Sequence, residues 1–158
     1  MLVPFYHFNR GIIFLDPFGM QFEWNTIEKI ANTRALEIFM NFPVMAINRT
    51  VLMNNPHRLN DSQIERMNRF WGSTEWKVNI YEEVPDLLDG TRIEKISQTG
   101  ESLGLLFQRR LEQIFPEVTY PLVMKNSKGA PLYCLIFAGH NGTGKNIMEN
   151  IFKNFERL

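Results

Sequence analysis

Cysteine is almost absent: Cys134 is the only one in 158 residues. A lone thiol excludes an internal disulfide and fits a reducing cytoplasm, where the chain is expected to reside. Histidine is scarce too, and His7 and His57 have no spacing typical of metal ligands. Net charge is zero, with 17 Lys and Arg against 17 Asp and Glu. Neither a strongly basic nucleic-acid surface nor a polybasic membrane anchor is expected from that balance. No apolar run approaches the roughly 20 residues of a membrane helix. The opening MLVPFYHFNR lacks a basic leader and contains Pro4, so it does not read as a signal peptide. Internal repeats and low-complexity segments are missing as well. What is present is a Phe- and Met-rich chain, long enough for one domain that buries roughly two-thirds of its unfolded surface.

The most informative stretch is GIIFLDPFG, residues 11–19. Four apolar residues, Ile12, Ile13, Phe14 and Leu15, run unbroken between polar punctuation, which predicts a strand buried on both faces. Asp16 ends it, and Pro17 and Gly19 cannot easily continue a strand. An acid at the carboxyl end of a parallel strand faces the crevice where open α/β sheets bind ligands. The same Asp could equally cap the following turn.

Asn25 and Glu28 have capping-box spacing and predict a helix with Ile27, Ile30 and Ala31 on one face. Residues 35–42 (ALEIFMNF) then read as a second buried strand, parallel to the first through a right-handed crossover. Residues 43–54 fit either a short helix or a loop. A polar break at 55–61 precedes a second capping pair, Asn60 and Gln63, and a helix with Ile64, Met67 and Phe70 on one face, ended by Trp71-Gly72. Residues 72–90 lack a period and read as helical turns, so that 55–90 forms an insertion covering one end of the sheet. Thr91 and Glu94 form a third capping box, which predicts a helix reaching about Phe115 with Ile93, Ile96, Leu103, Phe107, Leu111 and Ile114 on one stripe. Gly100 and Gly104 inside it call for close approach to a neighbour.

Residues 118–125 alternate but include Pro121, which lacks the N–H a central ladder needs, so they predict an edge strand. After a turn at 126–129, residues 132–138 (LYCLIFA) predict an inner strand between that edge and the second parallel strand. A last helix carries Ile147, Ile151, Phe152 and Phe155 on one face. The fold class is α/β: a mixed sheet of about four strands with a terminal antiparallel hairpin and flanking helices. Cys134, inside an apolar run, reads as a packing residue rather than a nucleophile. Trp24, Trp71 and Trp76 also read as packing residues.

GHNGTGKN, residues 139–146, nearly matches the phosphate-binding loop GxxxxGK[ST] between a strand and a helix. Asn146 stands where a Ser or Thr would hold Mg²⁺, and no later strand follows to carry a metal-binding Asp. These departures favour a Gly-rich strand-to-helix turn, though Gly142, Gly144 and Lys145 could still bind an anion. His140 reads as a turn histidine bonded to backbone, at the opposite end of the sheet from Asp16.

FLDPFG, the Trp24–Ile30 segment W-x-T-I-E-x-I, NFP at 41–43, Asn48-Arg49 and PLYCLIFAGHNGTGKNIM together resemble the three-Cys-motif partner protein family. The resemblance covers most of the chain and is weakest over 55–115. It implies a class I methyltransferase-like (Rossmann-like) fold, S-adenosylmethionine as cofactor of a complete member, and a three-Cys-motif protein as partner. It also implies roles for Asp16, Pro17, Phe18 and Gly19, which fall where amino-methylating relatives bind the target nitrogen. There, oxygens accept its N–H groups and an aromatic ring stacks on the substrate. Here a second Pro is missing and Phe18 comes one place early, which speaks against amino-group methylation. The cofactor-binding Gly-rich loop would precede residue 11, so the chain is expected to be the carboxyl-terminal half, inactive alone and without cofactor. An unmatched apolar edge at 12–15 is an association hazard and predicts a two-fold dimer through it. Alternative readings are a non-catalytic protein-interaction module and a nucleotide binder using residues 139–145.

Overall fold

The computed structural model describes residues 10–51, 59–86, 90–95 and 100–157, with backbone only at 86, 92 and 94. His7, His57, Ile96 and most of the polar break at 55–61 lie outside these residues. In order, the elements are β1 (Gly11–Leu15), α1 (Trp24–Asn32), β2 (Leu36–Phe42), α2 (Val44–Thr50), α3 (Asp61–Trp71) and α4 (Trp76–Ile80). They continue as β3 (Tyr81–Asp86), β4 (Gly90–Lys95), α5 (Gly100–Leu111), β5 (Glu117–Val118), β6 (Leu122–Lys125), β7 (Pro131–Gly139) and α6 (Gly142–Phe155).

The result is a mixed α/β fold around a five-stranded sheet of order β1-β2-β7-β5, with β6 also on β7. β1 and β2 are parallel and β7 is antiparallel to β2, with Ile38 opposite Ala138 and Phe42 opposite Cys134. The inner placement of residues 132–138, inferred from Pro121, is the observed one. β3 and β4 form a separate antiparallel hairpin.

Strand alternation divides the sheet into two unlike faces. Ile38, Met40, Phe42, Cys134, Ile136 and Ala138 share one face and are fully buried, and the main core gathers there with residues of α1, α2, α3 and α5. α5 reaches this face because it carries no Cβ at Gly104, where an added one would sit 2.9 Å from Cys134 Sγ and 3.0 Å from Pro121 Cβ. Gly100 likewise lies directly on Pro131. The opposite face carries Ile12, Phe14, Phe39 and Phe137 and meets α6, through Phe39 and Phe152 with ring centroids 6.2 Å apart.

Several expectations need correction. The strand at 12–15 is not buried on both faces: Ile12 is 62% and Phe14 59% exposed. An unbroken apolar run signals two-sided burial only where both faces are covered, and here α1 and its neighbours cover one. Asn25 and Glu28 form no capping box. The helix starts two residues earlier, at Trp24 with Glu23 as its N-cap, and the Glu28 carboxylate instead accepts the Trp24 indole N–H at 2.8 Å. Thr91 and Glu94 lie in β4, not at a helix start, so α5 begins only at Gly100. The expected helical insertion therefore holds α3 and α4 but ends in a strand, β3, whose hairpin partner β4 runs on past it. The strand expected at 118–125 splits into β5 and β6, because Thr119 bonds Phe137 with both its N–H and its hydroxyl and Pro121 then breaks the ladder. The α6 stripe at Ile147, Ile151 and Phe155 is half-exposed, and only Phe152 is buried.

The Asn60–Gln63 box is present in full, with Gln63 N–H on Asn60 Oδ1 at 2.9 Å and Asn60 N–H on Gln63 Oε1 at 3.0 Å. Residues 44–50 resolve the helix-or-loop alternative as α2.

Candidate functional site

Asp16 follows β1, and Asn41 lies at the carboxyl end of the parallel neighbour β2, so the register brings them together. Asn41 Nδ2 donates to Asp16 Oδ1 at 2.7 Å, and the Asp16 side chain is otherwise open to solvent. That bond fixes the amide orientation, since Asn41 Oδ1 would be repelled by the carboxylate. Oδ1 then turns inward, where it is buried and unpartnered. Pro17 is half-buried and Phe18 stands 86% exposed. Gly19 takes φ +64°, which reverses the chain and sends Met20 into the core. Beyond it a hollow of about 300 Å³ is lined by Met20, Gln21, Phe22, Glu23, Arg66 and Arg69. The cluster thus offers a carboxylate acceptor, an amide that orients it, and a bare aromatic ring. Asn41 was missed in the sequence, although parallel pairing of residues 11–15 with 36–42 places it beside Asp16.

The phosphate-loop match resolves into different geometry. Asn141 caps α6, accepting the Thr143 N–H at 2.9 Å. Gly142 through Lys145 are already helical, so no extended loop surrounds an anion. Lys145 Nζ lies 3.6 Å from Glu117 Oε2. A Cβ added at Gly142 would lie 3.4 Å from Glu117 Oε1, and one at Gly144 would lie 3.2 Å from Glu37 Oε2. Two carboxylates therefore already complement the positive end of this helix, and a phosphate arriving there would meet their charge. Glu37 and Glu117 come from distant strands, and nothing near residue 142 signals them.

His140 Nε2 bonds the Ala31 carbonyl at 2.9 Å and its ring packs 5.4 Å from Phe115. It lies at the amino end of β2, away from Asp16, as expected. Trp24, Trp71 and Trp76 are all buried, as packing residues should be. Among the described residues, no group of three or more His, Cys, Asp or Glu could hold a metal ion, and no helix is long and apolar enough to cross a membrane.

Cys134 is fully buried with Sγ 3.3 Å from the Gly100 carbonyl. Burial first, and the Glu101 charge second, push its thiol from 9.0 up to about 12. A thiol this acid-weak is no nucleophile at neutral pH. Because the folded form holds its proton longer than the unfolded one, its contribution is intact below the ordinary thiol range and is lost as pH rises toward 12. Urea midpoints are expected to fall over that alkaline window in the native protein and to fall less in Cys134→Ala. Equal slopes in the two would remove the thiol as the cause.

No family model, curated protein or solved structure matches the chain.

Proposed function

We propose that the chain is the carboxyl-terminal half of a class I methyltransferase-like protein, similar to three-Cys-motif partner proteins, and that it carries the substrate side of such a fold. The supporting observation is the strand order. A parallel pair, β1 and β2, is followed by antiparallel β7, which enters between that pair and its own hairpin partner β6. The Asp16–Asn41 pair then lies at the carboxyl ends of the parallel strands, where open α/β sheets receive ligands. In this reading Asp16 accepts a substrate hydrogen bond, Asn41 holds its carboxylate in position, Pro17 sets the turn and Phe18 stacks on the substrate.

The described residues do not fit S-adenosylmethionine. No Gly-rich loop follows β1 or β2, and the end of β2 carries Asn41, Phe42 and Pro43 in place of an acid for a ribose. A cofactor half would have to come from elsewhere, in cis or from a partner chain. Calorimetric titration of the chain with S-adenosylmethionine is expected to give no binding heat and no rise in melting temperature. Tight binding by the chain alone would overturn the reading. Coding DNA upstream of Met1 supplies the positive arm: an in-frame strand and Gly-rich loop are expected there or in an adjacent gene.

One observation favours a second reading, a non-catalytic interaction module: the apolar surface left uncovered on β1 and α6. Absence of any cofactor half from both genomic positions would select it.

A further inference from the structure

The face of the sheet that meets α6 is only half covered. Phe14 contacts Phe39, and Phe39 contacts Phe152 of α6, with centroids 5.8 and 6.2 Å apart, so an aromatic floor runs from the helix out to the β1 edge. At 100° per residue, Glu149, Lys153 and Glu156 lie roughly 40–100° to one side of Phe152, and Phe155, Ile151 and Ile147 roughly 60–140° to the other. The charged side faces the chain at Tyr120–Leu122, where Glu149, Lys153 and Glu156 share a hollow with it. The apolar stripe must therefore look the other way, across the floor toward β1. Its members are 55%, 51% and 49% exposed at Ile147, Ile151 and Phe155, and the floor adds Ile12 and Phe14. Among the described residues, β1 pairs on one side only, with β2.

We propose that a second copy of the chain covers this surface by stacking, with the two β1 strands face to face across a two-fold axis that runs along them. Layer heights make this fit. Packed sheets lie about 10 Å apart, and a helix is about 10 Å thick. α6 of one copy therefore stands level with the partner's sheet. Its sideways stripe then closes against the open edge of the partner's β1, while Ile12 and Phe14 interdigitate with their equivalents between the sheets. Pairing the two edges into one continuous sheet would cover the edges but leave both α6 stripes bare. Area supports the same occupant. At roughly 200 Å² for a fully exposed large apolar side chain, the five residues bury on the order of 500 Å² per copy. A standard interface buries about 800 Å² per partner, so the apolar centre is supplied and a polar rim completes it. Glu37 and Asp16, at opposite ends of the floor, begin that rim. The inference does not depend on the methyltransferase-like reading.

Sedimentation velocity of the chain at micromolar concentration is expected to give the two-chain mass. Phe14→Glu and Ile151→Lys are each expected to give the one-chain mass, an affinity loss of about thirtyfold or more, with unchanged far-UV circular dichroism. Both positions are more than half exposed in the single chain, so neither substitution disturbs its core. Ile147→Lys serves as the second lesion on the stripe should Ile151→Lys fail to fold. A one-chain mass for the unmodified protein overturns the proposal. So does a dimer that survives a folded α6 variant, which would mean that the partner does not touch the helix.

Discussion

Truncating Phe107 to Ala is expected to lower the unfolding free energy by about 3–5 kcal/mol, the usual range for a buried aromatic. Phe107 has no solvent exposure and sits where four elements converge. Its ring stacks on Phe42 of β2 at 4.4 Å and on Phe70 of α3 at 5.7 Å, and meets Trp71 edge-on at 5.4 Å and Trp24 of α1 at 6.0 Å. Each aromatic pair adds about 0.5–1.5 kcal/mol beyond its buried area, and rings held by sheet and helices cannot collapse into the void. A domain of this size has only about 5–15 kcal/mol in total, so the variant should be near its unfolding threshold. The urea midpoint at constant m-value measures the loss. A change below about 1 kcal/mol would mean the aromatic cluster is not the centre of the core.

Gly72→Ala is the second large effect, at about 2–4 kcal/mol from two separable causes. Gly72 ends α3 in the left-handed region at φ +78°, its N–H bonding the Asn68 carbonyl at 2.8 Å. Any L side chain there carries the left-handed penalty, about 1 kcal/mol. An added methyl would also land on the Trp24 side chain, which is itself fixed by the Glu28 carboxylate and lies under the Arg110 guanidinium at 4.5 Å. Gly129 has the same φ of +78° with nothing within 4 Å of an added Cβ. Gly129→Ala should therefore show the backbone penalty alone. If the two variants lose equal stability in parallel urea titrations, the Trp24 contact contributes nothing.

Features that act through a missing atom were legible in the sequence. Pro121 has no N–H wherever it lies, so it marks a peripheral strand and, with the apolar run at 132–138, orders β6, β7 and β2, although it did not announce the break between β5 and β6. Gly100 and Gly104 announce close approach because they have no Cβ to prevent it. Capping pairs were less reliable, because a three-residue spacing of polar side chains is not peculiar to helices. Asn60–Gln63 opens α3, whereas Thr91–Glu94, with the same spacing, lies in β4. What decides the second case is its antiparallel partner at Tyr81–Asp86, which a local window does not contain. Periodicity has a similar blind spot. It finds the apolar stripe on α6 and the apolar run in β1 but does not say what, if anything, covers them. At the candidate site, Asp16 was legible from its position after a strand. Its partner Asn41 comes from another strand, as do Glu37 and Glu117 at the start of α6, and only the assembled sheet brings them together.

β7 bonds β2, β5 and β6, yet it follows all three in the chain. Of the large sheet, only the β1–α1–β2 unit can assemble from neighbouring chain before then. On a ribosome, the remainder must wait until β7 has cleared the exit tunnel, with the β2 edge and the aromatic residues of α3 and α5 held unsatisfied meanwhile. Nascent chains stalled before Pro131 should therefore be clients of holding chaperones, and release should come abruptly once that late strand slides into place.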